Sequence, residues 1–146
     1  MIRTTLGMLI GIVIAALAIY GAQYGYTSLY PPPGSAAGTP EALARFVFKA
    51  RPNELLAYAF GAPQNAVWCI LGGWAGAGLI GGWIAAAIAK PHRGASATLV
   101  GALVTIAVLV YGVLMPNADW ITVVGVLLPI PFALIGGRLA MPRREF

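Results

Sequence analysis

Four long apolar runs, at about residues 6–26, 66–89, 95–114 and 120–140, take up most of a 146-residue chain. None holds a charged side chain before Arg138, near the end of the fourth. An α-helix rises 1.5 Å per residue, so about 20 apolar residues cross the hydrocarbon of a bilayer. Hydrocarbon offers the backbone no hydrogen bonds, which makes a helix the spanning form for runs of this length. The sequence therefore predicts an all-α fold: a polytopic membrane protein with a four-transmembrane-helix bundle. Residues 1–146 read as a single membrane domain, with short amphipathic helices in an outer loop at 27–65 between the first two spans. With 60% hydrophobic and 9% charged residues, a soluble domain of this size would expose far too much apolar surface. Only Arg3 precedes the first run, which is longer than the apolar part of a signal peptide, so it is expected to stay as an anchor.

Charge placement predicts the orientation. With four spans, Arg3, Lys90, Arg93, Arg138, Arg143 and Arg144 share one side. Opposite them lie Arg45, Lys49 and Arg51, diluted over a long loop with Glu41 and Glu54, plus Asp119. The positive-inside rule then puts both termini in the cytoplasm. Tyr20, Tyr24, Tyr26 and Tyr30 gather at the outer end of span one, and Trp68, Tyr111 and Trp120 mark the outer ends of the others. Amphipathic rings favour the headgroup level, so Tyr24, Trp68 and Trp120 are expected to anchor the outer interface. Arg138 is expected to snorkel to the inner headgroups. The net charge of +5 serves orientation beside anionic lipid, and no nucleic-acid partner is implied.

Within the outer loop, Pro31-Pro32-Pro33-Gly34 predicts an extended spacer. Thr39-Pro40-Glu41 has the order of a helix start: cap, proline in the first turn, acid near the N-terminus. From there Leu43, Phe46, Val47 and Ala50 share one face, and Glu41, Arg45 and Lys49 the other; Phe48 breaks the pattern. A second short helix is expected at 53–60, ended by Gly61. This pair serves either as a lid on the bundle or as a docking surface for a partner.

Span two is the most distinctive. Gly72, Gly76, Gly78, Gly81 and Gly82 recur at short intervals, and Gly-Gly-Trp repeats after nine residues. Between helices in lipid, close backbone contact and dispersion replace the hydrophobic drive, so small residues mark contact faces. These five glycines are the expected helix-packing interface, on a helix that is central or touches a second subunit. Nine residues make about two and a half turns, so Trp74 and Trp83 are expected to point in opposite directions. Gly7 and Gly11 form a similar spacing in span one. Pro129 and Pro131 each remove a backbone donor and predict a kink in span four.

The spans hold no ionisable group away from their ends, which argues against a proton path or a membrane enzyme. His92 is the only histidine and Cys69 the only cysteine, so a bis-histidine haem, a zinc site and an internal disulfide all lack ligands. No catalytic, cofactor or metal site is expected. A weak polar cluster at the outer surface, Gln64, Asn65, Asn117 and Asp119 with Gln23 beside it, serves either capping and interfacial hydrogen bonding or a shallow ligand site.

Taken together, several stretches carry a resemblance. They are Pro31-Pro32-Pro33-Gly34 with Pro40-Glu41-Ala42-Leu43, Gly81-Gly82-Trp83-Ile84-Ala85, Met115-Pro116-Asn117 through Trp120, and Leu127-Leu128-Pro129-Ile130-Pro131 with Gly136-Gly137-Arg138-Leu139-Ala140. On these residues the chain resembles a family of small four-helix bacterial inner-membrane proteins. The resemblance implies a fold and a compartment and carries no activity. Its relatives have His-Pro where this chain has Asn117-Ala118, which removes any role such a histidine would have.

The functional expectation is a non-enzymatic accessory or scaffold subunit of an inner-membrane assembly. Its partners would be the lipid bilayer and another membrane protein or a second copy of the chain. The alternatives are a small oligomeric transporter or channel component and, third, an enzyme acting on a lipophilic substrate at the outer polar cluster.

Overall fold

The computed structural model describes residues 1–32, 39–90, 92–114 and 119–140, without the Asp119 side chain. Residues 115–118, the spacer residues from Pro33 to Gly38, and Arg143 and Arg144 lie outside the described residues. All regular structure among the described residues is helical: α1 (Ile2–Leu29), α2 (Pro40–Lys49), α3 (Pro52–Phe60), α4 (Gln64–Ile88), α5 (Arg93–Leu114), α6 (Asp119–Leu127) and α7 (Pro129–Leu139). Four stretches are long and apolar enough to cross a membrane: Ile2–Leu29, Gln64–Ile88, Arg93–Leu114 and Trp120–Leu139, the last formed by α6 and α7 together. At 28 residues α1 is about 42 Å long, more than the hydrocarbon needs, so its ends reach past it.

Size, rather than hydrophobicity, separates the inside of the bundle from the outside. Leu9, Val13 and Leu17 of α1 are exposed, while Gly7, Gly11 and Ala15 are buried. In α7 the buried positions are Pro129, Ala133, Gly136 and Gly137, and Leu134, Ile135 and Leu139 face out. Lipid solvates a leucine as well as a protein interior does, so the larger side chains lose nothing outside. Small residues inside bring backbones together and multiply weak dispersion contacts.

α4 is the most enclosed span and packs on α1, α5, α6 and α7. Against α1, a Cβ on Gly11 would lie 2.8 Å from the Gly81 carbonyl oxygen, and one on Gly7 would lie 2.8 Å from that of Ala85. Against α7, a Cβ on Gly78 would lie 2.6 Å from the Pro129 oxygen and one on Gly82 2.5 Å from the Ala133 oxygen. From the other side, a Cβ on Gly101 of α5 would meet Ile130 Cα at 3.1 Å. The backbone of α7 thus lies in a trough with glycine on both walls.

The break between α6 and α7 falls at Leu128. Pro129 and Pro131 cannot donate to the carbonyls of Gly125 and Leu127, so two rungs of the ladder are missing at adjacent places. Pro129 then serves as the first residue of α7, where its missing N–H costs nothing.

Large side chains fill the end of the bundle where α1 and α5 finish and α4 begins, called the upper end below. Tyr26, Leu43, Tyr58, Val67, Ile70, Leu71, Trp74, Val108 and Ile121 form one buried cluster there, continuous with α2 and α3. A second cluster is small: Ala15, Ala77, Ala85, Val100 and Val104.

Candidate functional site

Three unlike elements meet at the upper end. Thr39 Oγ1 accepts the Ala42 N–H at 3.3 Å and closes the first turn of α2, with Pro40 at its start. Leu43 is buried, Phe46 and Val47 are half-buried, and Glu41, Arg45 and Lys49 are exposed. The Tyr20 hydroxyl of α1 donates to Glu41 Oε1 at 2.8 Å, tying the two helices together. That hydrogen bond is the main reason the Glu41 carboxyl titrates below its ordinary range; its own backbone N–H and Arg45 act the same way.

α3 begins with the Arg51 N–H donating to Glu54 Oε2 at 3.2 Å. Its Tyr58 is buried, and the Tyr58 hydroxyl donates to the Tyr30 carbonyl oxygen at 2.8 Å. The Tyr30 and Tyr58 rings stack at 4.5 Å, and Tyr26 and Phe46 meet Tyr58 edge-on at 6.5 and 5.2 Å. Burial, aided by the neighbouring tyrosines, pushes the Tyr58 phenol well above its ordinary value. Gly61 ends α3 with φ −82°, so its backbone does not require glycine there. What requires it is space: a Cβ would stand 2.8 Å from the Tyr30 hydroxyl oxygen.

Two hollows flank α2. The larger, about 650 Å³, is a wide-open groove between α2 and α3 with Phe46, Lys49, Glu54 and Tyr58 on its walls. The smaller, about 190 Å³, lies between α1, α2 and the last turn of α5. Its walls include Leu43, Val47, Phe48 and Leu114, together with two side chains that carry polar groups, the Gln23 amide and the Tyr111 phenol. Gln23 Oε1 is buried and has no hydrogen-bond partner among the described residues.

The five glycines of α4 divide. Gly78, Gly81 and Gly82 are buried against neighbouring helices: a Cβ on Gly81 would lie 3.0 Å from the Gly11 oxygen, in addition to the α7 contacts above. Gly72 and Gly76 have nothing within 4 Å of where a Cβ would stand, so within this chain they are not contact points. Gly72 lies on an outward stripe with Asn65, Trp68, Ile80 and Trp83, all exposed. Trp74 is 2% exposed and Trp83 49%, as their half-turn offset requires.

Of the polar cluster, Gln64 and Asn65 are exposed at the start of α4. Asn117 and the Asp119 side chain lie outside the described residues. Tyr24, Trp68 and Trp120 are exposed at the upper end, with the Trp68 and Trp120 rings 6.4 Å apart, and Arg138 is exposed at the other end. Cys69 is half-buried, its sulfur 2.9 Å from where a Cβ on Gly25 would stand. Among the described residues no group of three His, Cys, Asp or Glu side chains is placed to hold a metal ion.

One placement was not visible as such in the sequence. Arg93, one of the orientation charges by position, is 8% exposed, and its Nη1 donates to the Ala140 carbonyl oxygen at 3.0 Å. A cation there meets the negative end of α7. Gln23, expected beside the outer polar cluster, lies in α1 with its Oε1 buried.

An all-helical chain with four helices able to cross a bilayer defines a multi-pass membrane protein. Comparison with known families, proteins and solved structures finds no match to any of them.

Proposed function

We propose that this chain is a non-enzymatic integral protein of the bacterial inner membrane, an accessory or scaffold subunit that binds another membrane protein or a second copy of itself. Both termini lie in the cytoplasm, on the side of Arg3, Lys90, Arg93 and Arg138. α2 and α3 then form an outer cap, with the charged face of α2 in the headgroups and Phe48 dipping into the bilayer. The observation that carries the reading is the division of the α4 glycines. Gly78, Gly81 and Gly82 are used within the chain, whereas Gly72 and Gly76 face outward between Trp68 and Trp83. A helix from another subunit approaches closely at such a stripe, with a tryptophan at each end.

Blue-native electrophoresis of membranes solubilised in mild detergent tests the proposal. The native chain should migrate in a complex larger than itself. Gly72→Leu and Gly76→Leu should release it as a monomer with unchanged helical content. Migration of the native chain only as a monomer overturns the reading.

A further inference from the structure

We infer that the open groove between α2 and α3 binds a zwitterionic phospholipid headgroup, its phosphate on Lys49 and its primary ammonium on Glu54. α2 ends at Lys49 and α3 begins at Pro52, and the two residues between them, Ala50 and Arg51, are extended with ψ 150° and 157°. This short link sets the last turn of α2 beside the first turn of α3. Lys49 then stands on one wall and Glu54 on the other, both exposed. Their charges are opposite, yet neither has an ion-pair partner among the described residues. Glu54 accepts only the Arg51 N–H, on Oε2. The two phenols on the walls are turned to the protein: the Tyr58 hydroxyl donates to the Tyr30 carbonyl, and the Tyr30 hydroxyl lies against Gly61. One cation and one anion therefore set the charge of the groove, with the rings of Tyr30, Phe46 and Tyr58 between them.

That pattern selects the occupant. A headgroup with phosphate alone pairs with Lys49 and leaves Glu54 facing a like charge. A zwitterion satisfies both, and its ammonium gains from the aromatic walls. A primary ammonium donates to Glu54, which a fully methylated one does not. The volume of about 650 Å³ suits a headgroup. α2 and α3 sit where the spans end, so the groove lies at headgroup depth on whichever side that end faces. Phe48, Leu56 and Phe60 on the same two helices are exposed, apolar surface that acyl chains cover and water does not. A lipid therefore fits better than a soluble zwitterion.

Native mass spectrometry of the full chain, titrated in mild detergent with phospholipids of identical tails, tests the proposal. Phosphatidylethanolamine should bind about fivefold more tightly than phosphatidylglycerol, the upper end for an exposed charge pair, and more tightly than phosphatidylcholine. Glu54→Gln keeps an oxygen for the Arg51 N–H and should erase the preference over phosphatidylglycerol. Lys49→Gln should weaken both lipids. Hydrogen exchange of the native chain in nanodiscs needs no variant: phosphatidylethanolamine should slow residues 46–58 relative to phosphatidylglycerol. Equal binding, a preference for phosphatidylglycerol or phosphatidylcholine, a folded Glu54→Gln chain that keeps the preference, or slowing only outside 46–58 overturns the proposal. Electrophoretic migration reads the partner and not the groove, so the two proposals fail separately.

Discussion

An alanine at Gly78 puts a methyl carbon 2.6 Å from the Pro129 oxygen and 3.1 Å from its Cα. Ordinary contact begins near 3.4 Å, so the methyl stands some 0.8 Å too close to a backbone with no rotamer to change. α4 and α7 must separate, or α7 must slide out of the trough that Gly82 and Gly101 also line. Opening a contact by 0.5–1 Å forfeits roughly a quarter to a half of each dispersion well along the seam. Overpacking of this kind costs about 1–3 kcal/mol, against a gain of at most about 1 kcal/mol from replacing glycine in a helix. A net loss near 1–2 kcal/mol shifts the folding equilibrium about five- to thirtyfold. The same change at Gly72 meets nothing within 4 Å and should be neutral or slightly stabilising. Dodecyl sulfate titration in mixed micelles, followed by circular dichroism on the monomeric chain, compares the two. Equal losses at Gly78 and Gly72, or none at either, contradict the trough as the element that seats α7.

Three further outcomes follow from the upper and lower ends. Trp74→Ala, which empties a buried site against Tyr111 at 5.5 Å, should cost about 3–5 kcal/mol, whereas Trp83→Ala should stay within about 0.5, both read in the same titration. A carboxyl with a depressed folded pKa stabilises above its ordinary value of 4.5, and the contribution disappears as pH falls through the folded value. The docking of α2 should therefore hold at neutral pH and loosen below about pH 4.5, seen as faster hydrogen exchange in Pro40–Lys49, and Tyr20→Phe should flatten that dependence. Arg93→Ala should cost about 1–3 kcal/mol and deprotect the last turn of α7, because a buried charge-assisted hydrogen bond to Ala140 is lost; hydrogen exchange at residues 136–140 reads it directly.

Span limits were legible from the sequence because a helix in lipid must satisfy its own backbone, and that requirement leaves a long uncharged run. Residues 66–89 as read and Gln64–Ile88 as folded differ by two residues at the start and one at the end. The break at Pro129 was legible for the same reason, since a missing N–H is a covalent fact. Partners were less so. A glycine seen in sequence is a permission for close approach, and Gly72 and Gly78 look alike there. One has another backbone at 2.6 Å from its Cβ position and the other has open space, a difference set by where α7 crosses.

The small hollow beside α2 and the buried Arg93 belong wholly to the tertiary level. Gln23 lines that hollow only because α2 folds back onto α1 and the end of α5, bringing Leu43 and Leu114 to it. Arg93 reaches Ala140 across 47 residues of chain. Composition and covalent geometry act locally and so determined the four spans, the kink and the aromatic upper end. Which small faces are shared inside the bundle, and which polar atoms are left without a partner, depends on distances between helices, and only the packed chain decided them.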